Sequence, residues 1–219
     1  MPTPRLTLEA MSLSALAGFV DAIAFIYLGG YFVSFMSGNT TQGGVQLAQG
    51  ASGWQLALEL VGCFVLGVIL GALVGRVRRL RSAAIVGLVA VVLAVATAVV
   101  TLTPAGRIGI LGLAVAMGAV NVLFARDGVT LGLTYVTGAL VKVGEGIVAA
   151  LSGGPRWAWV LSLLLWVGIA GGAVLGGLAY GALGTTALWI AVGVALAIAA
   201  GSAVRESRAG RRSKSHAVS

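Results

Sequence analysis

Ser34-Phe-Met-Ser-Gly-Asn-Thr-Thr-Gln-Gly-Gly-Val-Gln-Leu-Ala-Gln-Gly50 stands between two long apolar runs and resembles neither. It has nearly the length of a membrane crossing, which takes roughly 20 residues, but not the apolar continuity. Glycine, hydroxyl and amide groups alternate with aliphatic ones. Whether this stretch crosses, or dips and returns on one side, fixes the number of spans and the sidedness of everything after it.

Outward from it the chain is apolar. Runs over 55–75, 82–103, 157–180 and 185–204 are each long enough to span alone. Two more, 8–28 and 108–125, carry Asp21 and Asn121 and read as spans with a polar site in them. A second mixed stretch, 131–152, holds Thr134, Thr137, Lys142 and Glu145. Across all 219 residues 59% are apolar and only 9% charged, too few to solvate the surface of a soluble domain, which carries about 25%. The reading is an all-α integral membrane protein with the lipid bilayer as its main partner.

Arginine placement decides the topology, because cytoplasmic loops collect Lys and Arg. If both mixed stretches cross, giving eight spans, Arg76, Arg78, Arg79 and Arg81 fall outside. If both re-enter, six spans remain; those four, Arg126, Arg156 and the tail from Arg205 to Lys214 lie inside, and only Arg107 lies outside. Six spans with both termini cytoplasmic is therefore preferred; seven spans with an external basic tail comes second. Arg5 ahead of the first run resembles a secretory signal, but Asp21 interrupts that run, so a retained helix is expected. The net charge of +8 then reflects topology and not nucleic-acid binding. The tail reads as a solvated, disordered anchor.

The chain also resembles itself. At an offset of 100, Gly18-Phe-Val-Asp21 falls on Gly118-Ala-Val-Asn121 and Ser34-Phe-Met-Ser-Gly38 on Thr134-Tyr-Val-Thr-Gly138. At 101, Gly67, Gly71 and Gly75 fall on Gly168, Gly172 and Gly176. This predicts two related halves, residues 1–103 and 104–204, followed by a basic tail, 205–219. With three spans in each half, an odd number, the halves insert in opposite senses, and inverted repeats place sites near the midplane where helices are interrupted. The glycine series present flat grooves for close helix packing, within the chain or in a homo-oligomer.

A carboxylate in hydrocarbon costs a few kcal/mol even on lenient scales. Asp21 thus leads the candidates, either facing a solute path or making a structural contact, a helix hydrogen bond or a pair with Lys142. Ser37, Gly38, Asn39, Thr40 and Gln42 offer coordinating groups beside interrupted backbone, which is tolerated at depth only against protein or a water-filled cavity. The competing reading is a surface loop with Ser37 or Asn39 as helix N-cap. Lys142 and Glu145 share a helix face, as a self-neutralising pair or as proton or substrate handlers. Glu59 reads as interfacial, as do Trp54, Trp157 and Trp159, and the lone Cys63 as a small buried hydrophobe. The one histidine, His216, lies in the tail, so no metal site, cofactor or catalytic residue is expected, and no enzyme.

Gly18-Phe-Val-Asp21-Ala22, Gly29-Gly30-Tyr-Phe32 and Met36-Ser-Gly-Asn39-Thr40 together resemble the YoaK-like family of uncharacterised bacterial membrane proteins, with Ser37 where threonine is usual. The motifs cover about residues 17–50. The resemblance implies a polytopic inner-membrane protein of around six helices and makes Asp21 and Ser37-Gly38-Asn39 family-defining. It supplies no substrate. The functional expectation is a small-solute or ion transporter or channel; the alternative is a non-transporting scaffold or accessory subunit.

Overall fold

The computed structural model describes residues 4–76, 81–123, 125–126, 129–130 and 136–216. Its helices are α1 (Pro4–Leu28), α2 (Met36–Ala48), α3 (Trp54–Val74), α4 (Arg81–Leu102), α5 (Gly106–Val120), α6 (Val136–Leu151), α7 (Val160–Leu183) and α8 (Leu188–His216). Among the described residues the strands form a two-residue antiparallel ladder, β1 (Ala125–Arg126) with β2 (Val129–Thr130), after α5. Four stretches are long and apolar enough to cross a membrane: Thr7–Leu28, Trp54–Val74, Ser82–Leu102 and Val160–Ser207. The last contains α7, a 3-10 turn over Gly184–Ala187 and most of α8, while α5 is a shorter apolar helix.

Two breaks shape the chain. α1 closes when the Gly30 N–H donates to the Phe25 carbonyl at 2.9 Å, with Gly29 at φ +68° and Gly30 at +120°, values that side chains resist. α7 ends at Gly184, φ +60°, and the chain reverses, so α8 runs back along α1 until Ser202 and Arg205 reach Glu9.

Helix packing rests on glycine. α1 and α7 run parallel: a methyl carbon added at Gly168, Gly172 or Gly176 would come within 3 Å of the backbone of Met11, Ala15 or Phe19 in turn. α3 and α5 do the same, with Gly67 against Val115 and Gly71 against Ala119. From the other side Gly18 meets Ile169, and Gly118 meets Phe64. Such approach lets backbones touch where lipid supplies no hydrophobic drive for association. The buried positions of α3, Ala57, Leu60, Gly67 and Gly71, stand 105 residues before Ser162, Leu165, Gly172 and Gly176 on α7. The offset of 101 expected for the glycine series is thus one helical turn short. Sequence overlay maximises glycine matches, whereas contact register is set by the backbone each glycine touches. Gly168 consequently corresponds to half-buried Cys63, and Gly75 caps the C-terminus of α3.

α5 is the most enclosed helix, ten of its fifteen residues being buried, and with Leu13, Ile23, Leu60, Leu93 and Leu188 it forms the core. Two further differences from expectation concern ends. α5 stops at Val120, so Asn121 is its C-cap and not a residue within a span. α8 continues through the tail expected to be disordered: its 205–216 segment, rich in good helix formers, extends a helix whose Glu206 Oε1 accepts the Ser82 N–H at 2.9 Å, capping the start of α4.

Candidate functional site

Asp21 lies two turns before the end of α1 and is only 8% exposed. After the glycine break the chain turns back alongside α1, without helix, before α2 begins. There Asp21 Oδ1 accepts the Val33 N–H at 2.7 Å and the Ser34 N–H at 2.8 Å, and its Oδ2 accepts the Ser34 hydroxyl. These are amides that no helix or sheet supplies with partners, and an unsatisfied buried N–H is costly. Fully buried Asn39 performs the companion task from α2: its Oδ1 accepts the Phe32 N–H at 2.9 Å and its Nδ2 donates to the Phe32 carbonyl at 2.7 Å. Two buried side chains therefore hold this segment from opposite sides.

α2 returns toward the start of α3. The Tyr31 hydroxyl lies 2.6 Å from Gln46 Oε1 and 3.0 Å from the Gly53 carbonyl, tying the way in to the way out. Gly38 passes beneath the Phe35 ring, where a methyl carbon would lie 2.6 Å from it. Phe25, Phe32 and Phe35 form a chain of rings with centroids 4.9 Å and 5.3 Å apart, the second contact edge-on. Neither Ser37 nor Asn39 caps α2; Phe35 holds the N-cap position without a side-chain bond.

Beside this segment is a cavity of about 580 Å³. Asp21 and Ser34 form its polar wall with Thr137 of α6; Phe25, Phe32, Phe35 and Trp166 form its aromatic wall, and Ile169, Ala170, Ala173 and Gly177 of α7 its floor. Elements from both ends of the sequence line it. Pockets of this size accommodate small organic molecules, which fill about 300–1,000 Å³.

Of the residues singled out in sequence, Asp21 and Thr137 line this cavity, and Asn39 and Gly38 support it from behind. Gln42 lies against Gly30. Ser37 and Thr40 are exposed on α2, Thr40 bonding back to the Met36 carbonyl at 2.8 Å. Asn121 donates to the Met117 carbonyl at 2.7 Å and is not in the cavity wall. Half-buried Lys142 and exposed Glu145 make no ion pair among the described residues, with each other or with Asp21. Thr134 lies outside the described residues. Glu59, read as interfacial, is exposed and takes a bidentate bond from Arg107, with Nη2 2.8 Å from each oxygen. Sequence reasoning missed Ser34 as a ligand of Asp21 and missed the aromatic wall. Trp166, a tryptophan in mid-span and not at an interface, was the available signal.

The family described as "Protein of unknown function (DUF1275)" matches residues 10–201. A UPF0700 transmembrane protein of Rhizobium meliloti (strain 1021) is 39% identical over 180 residues, covering 82% of this chain and 78% of the relative. No solved structure matches. With the apolar helices, this similarity makes the chain a membrane protein.

Proposed function

Because the chain belongs to the DUF1275 family, with which the YoaK-like motifs agree and for which no activity is known, we propose its function from its own site: a transporter or channel for a small solute or ion, and not an enzyme. The observation that carries this is the position of Asp21, a buried carboxylate that closes a break in the helical backbone and at the same time forms the polar wall of a cavity. Interrupted helices at membrane depth are where carriers place their sites.

The topology we propose has six crossings, α1, α3, α4, α5, α7 and α8, with α2 and α6 as the returning arms of re-entrant segments. Several contacts support it. Glu9, Ser82 and Glu206 meet at one end, and Glu59, Arg107 and the end of α1 at the other. α1 and α5 consequently run in opposite senses, as an inverted repeat requires. Both termini then share one side with Arg76 and Arg156, the cytoplasm by the positive-inside rule, in a bacterial inner membrane. In a Cys63→Ser background, Ser213→Cys should resist a membrane-impermeant maleimide added to intact cells; labelling there would remove this topology.

Transport is tested in proteoliposomes over a broad panel of solutes. Wild type should show solute-dependent flux, Ser37→Ala on the exposed face of α2 should retain it, and Asp21→Asn should lose it by about tenfold or more, the scale of one charged contact. No flux of any solute, or equal flux in Asp21→Asn, would exclude the reading. A second reading, a scaffold, is favoured by one fact: both oxygens of Asp21 and the amide of Asn39 already serve the backbone. It predicts lower thermal stability for Asp21→Asn with no solute phenotype.

A further inference from the structure

We propose that the cavity beside Asp21 takes an alkylated organic cation with an apolar or aromatic body. This deepens the transport reading and rests on it for the purpose of the site, but binding alone can test it. Asp21 is the only formally charged residue among the described residues of the lining, so the cavity attracts cations and rejects anions. What kind of cation follows from the acceptor capacity that remains. A carboxylate offers about four lone-pair sites; two N–H groups and one hydroxyl already occupy three of those on Asp21. What it offers a ligand is charge, with little hydrogen-bonding capacity left free.

A metal ion would need several oxygen ligands, and apart from Asp21 the described side chains of the wall supply only the hydroxyls of Ser34 and Thr137. A sugar or a primary amine brings donors that would be left unpaired against phenylalanine, tryptophan and alanine, at a cost for each. A quaternary or tertiary ammonium brings charge without such demands and covers it with methyl groups that match an apolar wall. The aromatic side chains add to this, since ring faces attract alkylated ammonium groups. Phe25, Phe32, Phe35 and Trp166 bring four aromatic groups to the same cavity as the carboxylate.

The test uses purified full-length protein in lipid nanodiscs and two probes of the same shape, benzyltrimethylammonium and its uncharged carbon analogue neopentylbenzene, with binding followed by calorimetry and thermal shift. The cation should bind saturably and raise the unfolding temperature, and the neutral analogue should bind about tenfold or more weakly, since shape and apolar contact are equal. Asp21→Asn should abolish the preference for charge. Since that residue also holds the backbone, Trp166→Leu and Phe25→Leu provide variants that leave the Asp21 and Asn39 bonds in place. Each should weaken the cation by about 5- to 30-fold, the range of a desolvated cation–aromatic contact, with little effect on the analogue. Equal binding of both probes, as a lipid-filled groove would give, overturns the proposal. So does absence of cation binding, or binding indifferent to Trp166→Leu. Binding with this pattern but no flux of the cation in proteoliposomes would uphold the ligand class and reject transport. Flux of another solute without cation binding would do the reverse.

Discussion

α1 and α5 each press a glycine, Gly18 or Gly118, against the backbone of a parallel partner, and three residues later each presents an acid or its amide, Asp21 or Asn121. Beyond that point they differ. α1 continues for two turns, and Asp21 faces outward to accept three hydrogen bonds from the returning chain. α5 stops, and Asn121 turns its amide back to the carbonyl of Met117. The cause is chemical. An ionised carboxylate only accepts, and the carbonyls of its own helix offer it nothing; an amide also donates, and so can close its own helix end. Among the described residues, similar packing thus ends on α1 in a carboxylate that holds the returning backbone beside a cavity, and on α5 in a C-cap amide bonded to its own helix.

The sharpest way to break that comparison is to remove both side chains. Asp21→Ala leaves two N–H groups and a hydroxyl to find new partners in a buried setting, at about 1–3 kcal/mol for each that fails. A loss on the order of 3 kcal/mol is expected, read as reduced stability to denaturant in detergent. Asn121→Ala should cost at least about 1 kcal/mol, for the loss of its bond to the Met117 carbonyl. Equal losses would mean that Asn121 holds backbone as Asp21 does and that the two ends are alike.

The glycine contacts sharpen the comparison from the other side, because there the two helix pairs should behave identically. Gly67→Ala and Gly172→Ala each drive a methyl group into a neighbouring backbone carbonyl, of Val115 and of Ala15. Each should cost about 1–3 kcal/mol through overpacking. Gly62→Ala and Gly171→Ala, where a methyl group meets nothing within 4 Å, should be neutral or gain up to about 1 kcal/mol from helix propensity. A neutral result at one member of the first pair alone would end the equivalence of α1/α7 with α3/α5.

These contrasts also mark what the sequence could express. The membrane class, the long helices and the need of Asp21 for partners were legible, because apolar run length and the cost of a buried polar group are local properties. The mixed composition of 34–50 set it apart from the long apolar runs, and the helix within it, α2, has 13 residues. The partner of Asp21 was not. Ser34 and Val33 are distant by only a dozen residues, but their amides are invisible to side-chain pattern, and a bond to backbone leaves no trace in residue type. The glycine series was visible while its register was not, since a shift of one turn keeps every glycine on the same helix face. The Lys142–Glu145 spacing fits a pair that does not form, because sharing a face does not bring two flexible side chains together.

The smallest effect concerns the one ion pair that joins the starts of α3 and α5. On α7 and α1 the positions matching Glu59 and Arg107 are Leu164 and Thr7, which border a separate cavity with Trp157. The Glu59–Arg107 pair is 41% and 59% exposed, so solvent screens it and side-chain ordering offsets much of its attraction. A double-mutant cycle of Glu59→Gln and Arg107→Gln should give a coupling of about 0.2–1 kcal/mol that shrinks as salt is added. Topology should survive Glu59→Gln, because acidic residues contribute little to membrane orientation. The size of the coupling also reports where this end of the molecule lies. A coupling well above about 1 kcal/mol that salt does not reduce would place the pair in a low-dielectric setting. The starts of α3 and α5 would then lie within the membrane or against another subunit and not at the water interface, and the topology with only Arg107 outside would lose its anchor.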